Sequence, residues 1–132
     1  MITVYGWMEI RATYMDEDMH PEIYEDRILE TVNQLINNLK HSDVKLIKKN
    51  YKEYINLFVN ENHKTEKTDE IIELFEKISI VATGSYGLLY LLDDEDKVNN
   101  DEFRVLISRK GHTEWKKDFY FSPCSKMIES NE

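Results

Sequence analysis

Residues 84–90 read Gly-Ser-Tyr-Gly-Leu-Leu-Tyr, and they open the half of the chain whose pattern is clearest. Apolar, β-branched and aromatic residues then recur between polar and turn-forming ones, as in short strands joined by loops. The pattern predicts a strand over 86–92, an acidic loop over 93–102, a strand around 103–107, a tight turn at 109–111 and a strand over 113–121. Pro123 ends the last strand, since proline has no backbone N–H to donate to a sheet.

The N-terminal half alternates between strands and helices. Residues 2–13 and 54–60 alternate with a period of two, which predicts strands. Apolar residues spaced three and four apart predict amphipathic helices over 21–40 and 67–81. The resulting order, β-α-β-α-β-β-β, favours an α+β fold with a mainly antiparallel sheet of about five strands and two helices packed on one face.

The predicted strands are rich in aromatic residues, and a sheet covered on one side leaves its other side exposed. Trp7 and Tyr86, for example, lie on the first and third predicted strands. Tyrosine and tryptophan are enriched in protein interfaces, and an exposed aromatic sheet face is typical of a binding surface. The alternation does not say which of the two strand faces is the exposed one.

The chain is acidic: its 132 residues carry a formal net charge of −9. This length predicts a single domain over residues 1–132. An acidic protein repels nucleic acid and anionic membranes at long range and attracts basic partners, so neither nucleic acid nor a membrane is expected as a partner. The N-terminal residues lack the pattern of a secretory signal, and a single cysteine excludes an internal disulfide. Together these features predict the cytoplasm, while the oligomeric state stays open.

No residue pattern predicts a catalytic site, a metal site or a cofactor. Cys124 lacks a local signature for a nucleophile with its base, so a buried or half-buried thiol is the expected role. The four histidines are isolated in the sequence, whereas a metal site needs three or four converging ligands. The acidic loop has ligand types suited to Ca²⁺ but lacks the glycine of an EF-hand. A solvated loop and a partner-facing loop remain its two interpretations.

A basic stretch lies between the first predicted helix and the second predicted strand. It consists of Lys45, Lys48, Lys49 and Lys52. Four lysines without interleaved aromatic residues, in a chain of this net charge, are a weak indication of nucleic-acid binding. A solvated helix end or the protection of an edge strand is the favoured explanation.

Three places in the chain resemble one known family. They are Tyr5-Gly6-Trp7 with Glu9, residues 84–90 with Asp93, and Asp118 with Ser122-Pro123-Cys124. With these motifs the chain resembles the immunity protein 7 family of bacterial polymorphic-toxin systems. The tail departs from the family pattern, in which a proline and an acidic pair follow the cysteine, because only Glu129 of that pattern is present.

The resemblance implies an α+β protein that is not an enzyme and that binds and silences a toxin domain encoded beside it. The acidic composition agrees with a basic toxin domain as partner. The candidate partner-binding residues are two acidic clusters and two aromatic residues: Asp16, Glu17, Asp18, Asp93, Asp94, Glu95, Asp96, Trp7 and Tyr86. A general acidic adaptor or nucleic-acid mimic outside a toxin system is the alternative, followed by a small enzyme or ligand-binding domain.

Overall fold

The computed structural model describes residues 1–14, 22–41 and 43–129 of the chain. Its elements are β1 (Ile2–Ile10), α1 (Glu22–Leu39), β2 (Val44–Lys49), β3 (Lys52–Glu61), α2 (Glu66–Val81), β4 (Tyr86–Asp93), β5 (Arg104–Arg109) and β6 (His112–Lys117). The strands form one six-stranded sheet in the order β2-β3-β1-β4-β5-β6. Every neighbouring pair is antiparallel.

β1 lies inside the sheet, and its side chains alternate between the two faces of the sheet. Ile2, Val4 and Met8 are fully buried, whereas Tyr5 and Trp7, which point to the other side, stay exposed. This follows from the strand pleat, which sends successive side chains to opposite faces. The buried face of the sheet forms one core with the two helices, to which α1 contributes Ile28 and Val32 and α2 contributes Ile71, Leu74, Phe75 and Ile78.

Both helices cover the same face because each has an apolar stripe at helical spacing. The apolar stripe of α2 repeats every three or four residues, and its four members are buried: Ile71, Leu74, Phe75 and Ile78. Thr65 occupies the N-cap position, and Glu66 and Asp69 in the first turn complement the positive end of the helix. The structure therefore confirms the α+β class with two helices packed on one face of an antiparallel sheet.

The described part of the chain contains six strands, one more than the sequence predicts. The additional strand is β2, which lies at the edge of the sheet and contains Lys45, Lys48 and Lys49. A tight turn at Asn50 and Tyr51, both with positive φ (51° and 65°), connects it to β3. Most of the basic stretch therefore lies on an edge strand, where lysines discourage pairing with other chains.

The last strand, β6, is shorter than predicted: it ends at Lys117, although the aromatic run continues to residue 121. The Asp118 N–H still donates to the carbonyl of Phe103 (2.9 Å), after which the Asp118 carboxylate accepts the N–H of Phe121 (3.1 Å). The side chain of Asp118 thus closes a turn that stops the strand. A short π-helical turn, Ser125–Glu129, follows.

Among the described residues, no helix has the length and apolar character needed to cross a membrane.

Candidate partner-binding face

One face of the sheet points away from the two helices, and we call it the open face, although Glu9, Leu92 and Val105 on it are buried. It contains the residues of β1 that point away from the helices, namely Thr3, Tyr5, Trp7 and Glu9. The strand registers place Tyr54, Asn56, Phe58 and Asn60 of β3 beside them on one side. On the other side lie Tyr86, Leu88, Tyr90 and Leu92 of β4, and Val105 and Ile107 of β5 follow.

The centre of the open face is aromatic. Tyr5 and Phe58 are directly opposed across β1 and β3, with their rings edge to face at 5.8 Å between centroids. Trp7 and Tyr86 form a second edge-to-face pair at 6.0 Å. Tyr5 is 46% exposed and Phe58 53% exposed, so these rings present apolar area to solvent rather than to the core. Exposed apolar patches are common at interaction surfaces, which makes the open face the candidate site.

A buried carboxylate lies at one end of the open face. Glu9 is only 2% exposed, although its neighbour Trp7 on the same face is solvent-accessible. The hydroxyl of Tyr54 donates to Glu9 Oε1 (3.0 Å), and Lys52 Nζ lies 3.2 Å from the same oxygen. Tyr86 supplies a further hydrogen bond to this carboxylate. Cross-strand pairing brings the groups together, because Glu9 is opposite Tyr54 on β3 and Tyr86 on β4.

The electrostatics of this cluster favour an ionised Glu9. Burial raises the pKa of the Glu9 carboxyl, but the hydrogen bonds from Tyr86, Tyr54 and Lys52 outweigh it and hold the pKa below its ordinary value. The same carboxylate raises the pKa of both tyrosines, and burial adds to that effect. Every donor in the cluster is thereby held on one acceptor, so the cluster fixes the positions of Tyr54 and Tyr86.

A cleft of about 580 Å³ opens next to this cluster. Its lining includes Glu9, Lys52 and Tyr86, together with Lys48 and Tyr51 from the β2–β3 hairpin. The Glu9 carboxylate in this lining already binds three donors, from Tyr54, Tyr86 and Lys52. The Glu9 cluster therefore acts as a structural anchor for the open face.

The Gly84–Gly87 motif sets the close contact between β1 and β4. A Cβ on Gly87 would lie 2.0 Å from the Trp7 carbonyl oxygen, so only glycine fits beside the backbone there. The Ser85 hydroxyl accepts the Arg11 N–H (3.1 Å) and donates to the Arg11 carbonyl (3.3 Å), which extends the pairing past the end of the strands. The motif thus has a structural role that holds Trp7 and Tyr86 side by side.

The C-terminal motif is also structural. The Ser122 hydroxyl accepts the Phe103 N–H (2.9 Å) and donates to the Phe103 carbonyl (3.3 Å). The Cys124 N–H donates to the Asp101 carbonyl (2.6 Å), and the Cys124 thiol is half-buried as expected. Burial, followed by the nearby Asp101, raises the pKa of this thiol, which opposes formation of a reactive thiolate.

The acidic loop after β4 is more organised than a freely solvated loop. Asp93 accepts the N–H of Glu95 (3.0 Å), and Asp96 accepts the N–H groups of Val98 (2.8 Å) and Asn99 (2.9 Å). These two backbone bonds lower the pKa of Asp96. The side chains of Asp94 and Glu95 bind the Met1 amine (2.6 Å) and His63 (2.6 Å) and are about half exposed, at 49% and 50%.

The predicted partner-binding residues thus form two groups. Trp7 and Tyr86 are in contact on the open face, and the loop of residues 93–96 begins where Asp93 pairs with Ile2, about 16 Å from Trp7 along β1. Asp16, Glu17 and Asp18 lie outside the described residues. Sequence reasoning missed Phe58 and Lys52, which join the face only through the pairing of β3 with β1.

Among residues 1–14, 22–41 and 43–129, no group of three or more histidine, cysteine, aspartate or glutamate side chains is arranged to hold a metal ion.

Comparison with known proteins gives one match. The family model Immunity protein 7 matches residues 1–130, nearly the whole chain. Neither the curated proteins nor the solved structures contain a match. The three motifs that carry this resemblance all lie within the matched range, and the structure shows two of them fixing the strands around Trp7, Glu9 and Tyr86. The chain belongs to the immunity protein 7 family.

Proposed function

We propose that this protein is an immunity protein that binds a cognate toxin domain of a polymorphic-toxin system and neutralises it by direct contact. The observation that carries the proposal is the family match over residues 1–130. In this proposal the chain acts as one domain in the cytoplasm, and it inhibits by occupying the toxin rather than by a chemical reaction.

The geometry of the open face supports a protein partner. Its exposed tyrosine, tryptophan and phenylalanine side chains are the types enriched at the centres of protein interfaces. They lie on strands in edge-to-face pairs, and Tyr86 is also held by its hydrogen bond to Glu9, so less side-chain freedom is lost when a partner binds. A rigid aromatic surface of this kind suits tight binding.

The net charge supports a basic toxin domain. At −9 the chain attracts a basic protein over long range, and such attraction raises association rates by about ten- to a thousand-fold at low salt. Asp94 and Glu95, each about half exposed, are the described loop carboxylates best placed to contribute to this field. The proposal therefore includes a fast, salt-sensitive encounter with the toxin.

Co-expression with the C-terminal domain encoded by the neighbouring reading frame tests the proposal. Size-exclusion chromatography is expected to show one 1:1 complex, and cells that produce the toxin domain are expected to survive only when this chain is present. Two separate peaks at micromolar concentration would contradict the proposal. A stable complex without any protection would instead favour the adaptor function.

A variant tests the absence of a catalytic step. Cys124→Ser removes the single thiol, which is half-buried. Protection is expected to stay within about twofold of the parent. Loss of protection with an unchanged melting curve would show that the thiol takes part in the function.

A further inference from the structure

The open face has a charge opposite to that of the chain as a whole. The strand registers place seven formally charged side chains on this face: Lys45, Lys49, Lys52, Arg109 and Lys116, against Glu9 and Glu114. Their formal sum is +3, whereas the chain carries −9. The other charged residues of the sequence sum to −12.

The helical layer holds much of that negative charge. Among the described side chains of α1, Glu25, Asp26 and Glu30 stand against Arg27, for a net −2. α2 has Glu66, Asp69, Glu70, Glu73 and Glu76 against Lys67 and Lys77, for a net −3. The two sides of the molecule thus differ in sign, and a partner that fits one side is repelled by the other.

The positive residues form the rim of the open face, while its centre is apolar. Lys45 and Lys49 are exposed on the edge strand β2, and Lys116 is exposed on the opposite edge strand β6. Tyr5 and Phe58 lie between these edges. An apolar centre with a charged rim is the common arrangement of a specific protein interface.

We propose that the toxin domain docks on the open face, and that it does so with a patch whose centre is apolar and whose rim carries carboxylates. This inference rests on the proposed function and deepens it. Long-range attraction and docking are then separate: the net charge of −9 draws in a basic domain, and the local charge of +3 selects an acidic patch on that domain. The acidic helical layer stays outside the contact.

The size of the open face agrees with this assignment. Six strands at a spacing of about 4.8 Å and an eight-residue β4 give a planar area of roughly 600 Å². Side-chain relief enlarges that area towards the ~800 Å² per partner of a standard interface. The face therefore comes close to the lower end of the range for a standard interface, roughly 600 Å² per partner.

The charge also argues against a second copy of this chain as the occupant. In a dimer formed by two open faces, each face would bring a charge of +3 to the interface. The edge-strand lysines Lys45, Lys49 and Lys116 of both copies would lie in that interface. Like charges across an interface oppose association. A partner with carboxylates at the rim has no such cost.

Two pairs of matched variants test the inference. Lys45→Glu with Lys49→Glu reverses the rim of the open face, and Glu30→Lys with Glu73→Lys reverses two exposed charges of the helical layer. Phe58→Ala truncates an exposed ring on the open face, and Ile80→Ala truncates an apolar side chain on α2 that is 67% exposed. All variants are checked for an unchanged melting curve, and the parent chain is measured first.

The probe is the toxin domain from the neighbouring reading frame, made catalytically inactive, and the readout is its dissociation constant at physiological salt. The lysine reversals are expected to weaken binding about tenfold, and Phe58→Ala about thirtyfold, as for a central aromatic residue. The helical variants are expected to change the dissociation constant by less than about threefold. Size-exclusion chromatography of the free chain is expected to show a monomer.

The experiment distinguishes a failure of this inference from a failure of the proposed function. If the parent chain does not bind the toxin domain, the proposed function is wrong and the inference falls with it. If the parent binds but the helical variants weaken binding more than the open-face variants do, the function stands and the assignment of the face is wrong. A free-chain dimer that Phe58→Ala dissociates would also overturn the inference.

Discussion

Replacing the buried carboxylate of Glu9 by an amide, Glu9→Gln, is expected to destabilise the protein by about 2 kcal/mol at pH 7. The amide keeps the shape of the side chain, but the hydrogen bonds from Tyr54 and Tyr86 change from charged to neutral ones. That change weakens each bond by about 1 kcal/mol. Lys52 is 57% exposed at its side chain, so loss of its ion pair adds no more than about 0.5 kcal/mol.

The effect has a definite pH dependence. The pKa of Glu9 is lowered on folding from its ordinary value of 4.5, so the native state binds the proton less readily than the unfolded state. The stabilisation is therefore fully present above about pH 5 and is lost as the pH falls through the folded-state pKa. The stability difference between the parent and Glu9→Gln should shrink towards zero over that acidic range.

Urea unfolding at several pH values between 3 and 7 measures this difference. Glu114→Gln is the matched control, because Glu114 is an exposed carboxylate on the same face, and it should cost at most about 0.5 kcal/mol. The tyrosine pKa values, followed by ultraviolet absorbance, should return towards 10.0 in Glu9→Gln. A difference below about 0.5 kcal/mol at pH 7, or one that does not vary with pH, would refute the reasoning.

Three further outcomes are expected. Gly87→Ala places a Cβ 2.0 Å from the Trp7 carbonyl oxygen and should destabilise by more than about 3 kcal/mol, whereas Gly6→Ala, with a nearest contact of 3.1 Å, should cost clearly less in a thermal melt. Tyr51 has a positive φ of 65°, which is strained for tyrosine but not for glycine, and its side chain is 95% exposed. Tyr51→Gly should therefore raise the free energy of unfolding, measured in urea, by about 0.5–1 kcal/mol. A free energy of unfolding below that of the parent would contradict this. A triple variant changes three loop carboxylates to amides: Asp93→Asn, Asp94→Asn and Asp96→Asn. The amides keep the oxygen acceptors of the loop, so the melting temperature should stay the same, while surface plasmon resonance should show slower association with the toxin domain and a weaker salt dependence. An unchanged association rate would exclude the loop from steering.

The two hairpins show where local sequence is sufficient and where it is not. The β5–β6 turn contains Gly111, with φ of 77°, and the Lys-Gly pair predicts it directly. The β2–β3 turn has the same positive-φ pair but uses Asn50 and Tyr51, and a tyrosine does not indicate such a conformation. The sequence therefore predicts a basic linker in place of the hairpin, and the strand count is one too low.

Glu9 shows the same limit at the candidate site. Its position in the β1 alternation places it beside Trp7 on a face that includes exposed residues, and nothing local indicates that it is buried. The donors that bury it, Tyr54 and Tyr86, are 45 and 77 positions away along the chain. They meet Glu9 only because β3 and β4 pair with β1 in one particular register.

The sequence by itself determines the helices, most of the strands, the α+β class and, through motifs at 5–9, 84–93 and 118–124, the family. These properties depend on spacings of two to four residues or on short motifs, and both can be recognised in the amino-acid sequence without knowledge of the fold. The tertiary structure alone decides which strand face stays open, that Glu9 is buried there, and that this face is positive in an acidic protein. Each of these depends on strand order and register, which join residues far apart in the chain and are set by the packing of the whole sheet against the helices.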